Sequence, residues 1–256
     1  MSLRESLRPE PHIALLIDAD NSPAGKIDVI LTELSTFGVT NVRRAYGNWK
    51  KNELKGWEEK LHEHAIRPMQ QFDYSKGKNA SDMAMVIDAL ELLYTDRPDA
   101  FGIVSSDADF TPLVMHLRAK GAAVYGFGAQ KTPEPFVNAC SRFLYLDQLG
   151  AEPVADAGLS APAAPLRFST SQLRQDTKLV NLLRNAAQAA ADEGGWARVD
   201  AVGQQIGNQA SFDSRNYGYA TLSKLLVATQ LFELSNEGTS HVAVRDKRLT
   251  KANKSG

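Results

Sequence analysis

Four aspartates stand where this sequence could do chemistry: Asp18 in "LLIDADN", Asp82 in "KNASDMAMVIDALELL", and Asp107 and Asp109 in "IVSSDADF". Asp18 closes an apolar, strand-like run, Asp107 and Asp109 follow another, and Asp82 opens a stretch with helical spacing. In an open parallel sheet the crevice beyond the carboxyl ends of the strands is where ligands bind, so three separate segments would deliver acids to one rim. Clustered carboxylates raise one another's pKa, and such a cluster persists mainly around a cation. Oxygen-only ligation without His or Cys points to Mg2+ or Mn2+ and away from zinc. A hard divalent ion there would activate water and neutralise a leaving oxyanion, so hydrolysis of a nucleic-acid backbone fits best. Asp18, Asp82 and Asp107 are the expected metal ligands. Asn21 would orient a ligand carboxylate or a water, Ser105 and Ser106 would position a phosphate, and Lys78 would balance its charge.

Each of these residues also has a plainer role available. A lone Asp after a strand is commonly a helix cap, because its carboxylate accepts from the free amides of the next turn. Asp109, just before "FTPL", reads equally well as such a cap, and Asp20 and Asp88 read as capping or solvated. The stretch "NVRRAYGNWKKNELKGW" mixes Arg43, Arg44, Lys50, Lys51 and Lys55 with Tyr46, Trp49 and Trp57. Such interleaving suits a groove that tracks a single strand's backbone and stacks its bases, with Arg43 and Trp49 as binding candidates; the bland alternative is a solvated face over core aromatics. His62 and His64 are two apart, a spacing unsuited to one helical face, so no zinc site is expected. Cys140 reads as a small buried residue. "GFGAQ" lacks the Lys-Ser/Thr pair of a phosphate-cradling loop.

The elements that must position the acids alternate in type. Strands are expected over 12–18, 39–47, 66–73, 101–107 and 122–128, with a sixth over 142–147, and helices over 27–37, 57–63, 81–94 and 110–120. Apolar strands alternating with helices of that length imply a parallel sheet covered on both faces. At residue 149 the composition turns to Ala, Pro and Gly without apolar period, which reads as an extended linker over 149–170 separating a domain over 1–148 from one over 171–248. In the latter, one helix ends at the Gly194-Gly195 pair, a second begins near Val199, a third spans 219–230, and two short apolar runs flank Asn236 to Gly238. Three helices and a β-hairpin describe a winged helix. Arg215, Tyr217, Tyr219 and Lys224 are its candidate nucleic-acid contacts, the tyrosines serving equally as core. Residues 249–256 read as a basic, loose tail.

Composition narrows the rest. With 256 residues, 43% hydrophobic and 23% charged, the chain can bury a sizeable core. A net charge of −1 gives no global basic field, so any nucleic-acid contact must come from local patches. The single cysteine cannot form an intramolecular disulfide. No apolar run approaches a bilayer span, and "MSLRESLRPEP" lacks a signal-peptide core, so a cytoplasmic, membrane-free protein is expected.

The segments "LLIDADN", "KNASDMAMVIDALELL" and "IVSSDADFTPLVMHLRAKGAAVYGFG", taken together over about 11–147, resemble the NYN domain, a branch of the PIN-like nuclease superfamily found in LabA-like proteins. The resemblance implies a Rossmann-like α/β/α sandwich of strand order 3-2-1-4-5, metal-dependent ribonuclease chemistry, and site acids at Asp18, Asp82 and Asp107 with Asp109 and Asn21 beside them. Over about 172–246 the sequence, with "FDSRNYGYATLSKLL" at its centre, is similar to the OST-HTH or LOTUS domain. That resemblance implies recognition of RNA or of a protein partner. RNA is therefore the expected substrate, with DNA not excluded. The competing expectations are a non-catalytic RNA- or protein-binding regulator with a structural metal site, and a hydrolase of small phosphate esters using the same acids.

Overall fold

The structure is a computed structural model that describes residues 10–72, 80–149, 167–236 and 241–252. The chain divides into two compact units, Met1–Gly150 and Ala151–Gly256.

The first unit is built on six strands: β1 (His12–Asp18), β2 (Val39–Gly47), β3 (Arg67–Gln70), β4 (Ala100–Val104), β5 (Ala123–Gly128) and β6 (Arg142–Tyr145). They form one sheet in the order β3-β2-β1-β4-β5-β6, and every pairing is parallel. This is the implied order with the sixth strand added, and it seats β1 against β4. Five helices follow the strands: α1 (Ile27–Leu34), α2 (Glu58–Glu63), α3 (Ala80–Thr95), α4 (Thr111–Ala119) and α5 (Glu134–Ala139), the last not foreseen from the sequence.

Strand alternation sorts the core into two layers, because successive side chains leave a strand on opposite faces. Ala14 and Leu16 of β1 join Met85 and Ala89 of α3, Val114 and Leu117 of α4 and Phe136 of α5. Ile13, Leu15 and Ile17 join Ile27, Ile30 and Leu34 of α1 with Leu54 and Trp57. Asp18 continues the even-numbered set, and its side chain therefore leaves β1 on the side covered by α3.

Several expectations need correction here. Asp88 neither caps nor faces solvent: it is buried and accepts from Arg44 Nη1 and Tyr46 Oη, tying α3 to β2. Burial and the adjoining Asp88 raise the Tyr46 phenol well above its usual range. Tyr46 and Trp57 are accordingly core residues and not stacking platforms, the indole of Trp57 donating to the Ser22 carbonyl at 3.3 Å. Cys140 is buried as expected, and burial pushes its thiol up to about 12. Helix α1 stops at Leu34, and Phe37 beyond it stacks on Tyr125 with ring centroids 4.2 Å apart.

The second unit contains α6 (Thr170–Gln175), α7 (Thr177–Ala189), α8 (Val199–Gln209), α9 (Leu222–Thr229) and α10 (Lys247–Ala252). Its strands β7 (Ala197–Arg198), β8 (Phe232–Ser235) and β9 (Ala243–Asp246) form an antiparallel sheet in the order β7-β9-β8. Leu179, Leu183, Val202, Ile206, Leu225, Leu226, Phe232 and Val244 fill its core. Helix α7 ends at Ala189, before the glycine pair, because Ala191 bridges to Ala197 and pulls the chain into the sheet. The third helix begins at Leu222, since Gly218 adopts a left-handed turn (φ 81) and the Thr221 hydroxyl caps the helix.

The linker is shorter at both ends than the 149–170 span read from composition. Leu149 is buried in the first unit, and its carbonyl accepts from Lys26 Nζ at 2.8 Å. The Phe168 ring lies 5.5 Å from Tyr217, and Ser169 caps α6 in a capping box. Residues 249–252, expected as the start of a loose tail, belong to α10. No helix of the described residues is long and apolar enough to cross a membrane.

Candidate functional site

The rim is assembled from three turns. After β1 the chain turns at Asp18, the Asn21 amide N–H reaching back to the Asp18 carbonyl at 3.4 Å. This turn aims the Asn21 side chain at Asp18, where Nδ2 donates to both carboxylate oxygens at 3.2 and 3.1 Å. Residue Ile17 pairs with Val104, so the residues one step beyond, Asp18 and Ser105, face each other across the β1–β4 edge. The Ser105 hydroxyl donates to Asp18 Oδ2 at 3.0 Å and accepts from the Asp107 amide at 3.1 Å. A single hydroxyl thereby fixes the relation between two of the three expected ligands.

Asp107 in turn accepts from the Asp109 amide at 2.8 Å and caps the short 3-10 turn Ala108–Phe110. The capping role that the sequence offered to Asp109 thus belongs to Asp107, and Asp109 is exposed. Ser106 accepts from the Ala129 amide at 2.8 Å, tying this turn to the end of β5. Close approach there requires Gly128: a Cβ at that position would lie 2.6 Å from the Ser105 carbonyl oxygen.

Asp82 arrives on the first turn of α3 and is half-buried. Its carboxyl is pushed up to about 6, first by burial and then by the charges of Asp18, Asp107, Asp20 and Asp109. Asp18 is also raised, by burial and by the Asp20 charge, against the opposing bonds from Asn21 and Ser105. Asp82 on α3 therefore feels the charges of four aspartates at the β1 and β4 ends.

Asp20 is the residue that sequence reasoning passed over as capping or solvated. It accepts from Lys51 Nζ at 3.2 Å and from Ser81 Oγ at 2.8 Å, joining β1, the loop after β2 and the start of α3. Its signal in the sequence was position alone, two residues beyond Asp18 on the same rim. Ser81 lies inside α3 and serves this bond.

The remaining sequence candidates fall elsewhere. Arg43 donates to the Thr40 and His64 carbonyls at 3.2 and 2.8 Å, so its guanidinium is held along β2 and not over the crevice. Trp49 is half-buried against the α1 layer, and Lys50 Nζ sits 4.9 Å over the exposed Phe72 ring. Lys78 lies outside the described residues. In the second unit Arg215 is bound side-on to Asp213 at 2.9 and 2.8 Å. There Tyr219 is buried, its hydroxyl on the Phe168 carbonyl at 2.7 Å, Tyr217 packs against Phe168 and Phe212, and Lys224 is exposed.

Among the described residues, Asp28, Glu63 and His64 place one ligand atom each within 4.8 Å of one another. Lys60 Nζ already contacts Asp28 and Glu63, at 3.1 and 2.8 Å, so a cation occupies that charge. The rim differs in kind. Its donors are carboxylates and an asparagine amide, and burial together with like charge raises Asp82, which is the donor chemistry of a hard, oxygen-liganded ion.

A parallel three-layer sandwich with carboxylates beyond β1 and β4 is a protein of the PIN-like fold class. The NYN domain model matches residues 12–147, and the chain belongs to the NYN domain family. The OST-HTH/LOTUS domain model matches residues 173–243. An uncharacterized protein of Methanocaldococcus jannaschii is 31% identical over 125 residues, covering 47% of this chain and 49% of that protein. The chain thus spans about half the length of that relative. Among solved structures, a protein of unknown function from Vibrio parahaemolyticus is similar at TM-score 0.43 and 18% identity over 53% of this chain and 93% of its own. An uncharacterized protein from Nitrosomonas europaea is similar at TM-score 0.25 and 25% identity over 37% and 90%.

Proposed function

We propose that the chain is a metal-dependent ribonuclease whose LOTUS module selects the RNA or a protein partner. The observation that supports this most is the meeting of three segments at one rim, where Asn21 and Ser105 hold Asp18, Ser105 also holds the Asp107 amide, and Asp82 on α3 feels the charges of Asp18, Asp107, Asp20 and Asp109. Asp18, Asp82 and Asp107 would hold the ion, Mg2+ or Mn2+. When bound, such an ion supplies positive charge to the phosphodiester oxygens and acidifies the attacking water.

The chain's own residues do the rest. Asn21 and Ser105 fix both oxygens of Asp18, and Ser105 ties Asp107 to the same frame. Asp20, held by Lys51 and Ser81, locks the first turn of α3 and with it Asp82. Asp109 is the exposed acid of the set and is the one placed to accept a proton from water. Lys50 with Phe72, beside Trp49, offers a cation and an aromatic face to a single strand at the end of β2. Ser106 and Lys78 are the further phosphate contacts of this proposal, while Arg43 supports the strand.

The test is cleavage of labelled RNA, and of DNA of the same sequence, with Mg2+, Mn2+ or EDTA, in wild type and Asp107→Asn. Asparagine keeps the cap on the 3-10 turn, so the variant should remain folded. Cutting that disappears both in EDTA and in the variant supports the proposal. One observation favours the non-catalytic alternative: Asp107 already serves as a cap, as a structural aspartate would. No cutting of either polymer with any ion would select that alternative, and turnover of a small chromogenic phosphate ester without polymer cleavage would select the small-ester hydrolase.

A further inference from the structure

The second unit holds a cavity of about 310 Å3 between α7, the turn at Gly195 and the start of α10. That lies at the lower end of the roughly 300–1,000 Å3 usual for small-ligand sites. Ala187 and Ala191 of α7 and Leu249 of α10 make its apolar wall, where Gly195 adds no side chain. Small residues there leave room for a flat group. Arg184, Gln188, Asp246 and Arg248 make the polar wall.

One carboxylate fixes the two arginines. Asp246, at the end of β9, is buried and accepts from the Arg248 amide at 3.0 Å and from Arg248 Nε and Nη2 at 3.0 and 2.7 Å. Arg184 Nε stands 3.2 Å from the same oxygen without hydrogen-bond geometry. Burial would raise the Asp246 carboxyl, yet the bonds from Arg248 and the Arg184 charge hold it below its usual range, so it stays ionised. Two guanidiniums against one carboxylate leave the lining with one positive charge. Each guanidinium has five N–H donors in a rigid fork, of which Asp246 takes two from Arg248 and none in good geometry from Arg184. Both arginines therefore keep donors for an anion that enters the cavity.

These features select the class of ligand. Guanidinium forks match phosphate oxygens, and unstacked bases lie against apolar side chains and guanidinium planes. An acidic peptide side chain would meet the arginines and leave the apolar wall uncovered, whereas a nucleotide meets both. We propose that this cavity holds one unpaired nucleotide of a single-stranded RNA, with its phosphate on Arg184 and Arg248, its base against Ala187, Ala191 and Leu249, and the Gln188 amide at the base edge. None of Arg215, Tyr217, Tyr219 and Lys224, the contacts expected from the sequence, lines it. The inference rests on the reading of the LOTUS module as the part that selects the substrate, and it commits that module to RNA over a protein partner.

The test is binding without cleavage. A short labelled single-stranded RNA is titrated with the full chain in EDTA and followed by anisotropy, beside Arg248→Ala and Gln188→Glu. Both positions are exposed, so both variants should keep the wild-type thermal midpoint. Each should bind about tenfold more weakly, and Arg248→Ala should also lower the slope of log Kd against log salt by about 0.7, the loss of one phosphate contact. A nucleoside 5′-monophosphate should displace the RNA at concentrations where inorganic phosphate does not. Because the first unit can hold RNA as well, 4-thiouridine crosslinking locates the contact: the tryptic peptide 185–198, which carries Ala187, Gln188 and Ala191, should be labelled in wild type and not in Arg248→Ala. Crosslinks that miss this peptide, or that persist in both variants, overturn the proposal and leave RNA selection to another face of the module. Equal competition by inorganic phosphate overturns it too, since the cavity would then hold an anion and no base. A chain that binds no RNA overturns it together with the reading on which it rests.

Discussion

Replacing Asp82 by Asn should stabilise the metal-free protein while destroying its affinity for divalent ions. The folded carboxyl is raised from 3.8 to about 6 by burial and four like charges. A shift of that size corresponds to at most roughly 3 kcal/mol. Asp82 is half-exposed, and solvent screening reduces the figure to about 1 kcal/mol. Because the folded value lies above the unfolded one, the fold favours the protonated acid. The benefit is complete below about pH 4 and is lost as pH rises through about 6, so at pH 7.5 the wild type carries the full repulsion and the asparagine variant carries none. In EDTA at pH 7.5 the variant should therefore unfold about 2–4 °C higher, and at pH 4.5 the gap should shrink to about a third. The melt is best followed through Trp49 and Trp57, both in the first unit, with Trp196 replaced by Phe in both proteins. Adding 10 mM Mg2+ or Mn2+ should reverse the order, since the ion stabilises the protein that binds it. A variant less stable than wild type in EDTA at pH 7.5, or a gap independent of pH, would refute the picture of a repulsive, cation-seeking rim.

Two further outcomes follow from the same geometry. Asp88→Ala leaves the Arg44 guanidinium and the buried Tyr46 hydroxyl without their shared acceptor; the first unit should lose about 3 kcal/mol in urea unfolding, and a loss below about 1 kcal/mol would show that the latch is not structural. Gly128→Ala sets a methyl group 2.6 Å from the Ser105 carbonyl and 2.7 Å from Thr132 Oγ1. Displacing Ser105 from Asp18 should lower RNA cleavage at least about tenfold at a stability cost of about 1–3 kcal/mol, and unimpaired cleavage would remove Ser105 from the positioning frame.

The α/β architecture was legible because alternating strands and helices leave a strong periodic trace, and the all-apolar "ALLI" and "FGIV" runs can be satisfied only in strands covered on both faces. The acids at 18 and 107 were legible for a related reason, since a polar residue at the end of a buried strand stands out, and Asp82 was legible as the acid that opens a helical apolar period. Their partners were not. Nothing in the sequence distinguishes Asp20, which joins three segments, from a solvated aspartate, nor Asp88, which is buried, from an exposed one; the difference arises only when α3 is laid across β1 and β2. The surroundings of Arg43 and Trp49 were illegible for the same reason, since the direction of a side chain depends on what its neighbours offer, and the His64 carbonyl that Arg43 reaches lies 21 residues away.

Local pattern thus determined which segments are strands and helices, which residues are apolar enough to be inside, and which acids end the strands, because each of these depends on neighbours within a few positions. Tertiary structure alone decided which carboxylates share a space, which of them caps a turn, and which arginines of the second unit line one cavity. Those are matters of distance between segments up to 87 residues apart, and burial and like charge act through distance, not through order along the chain.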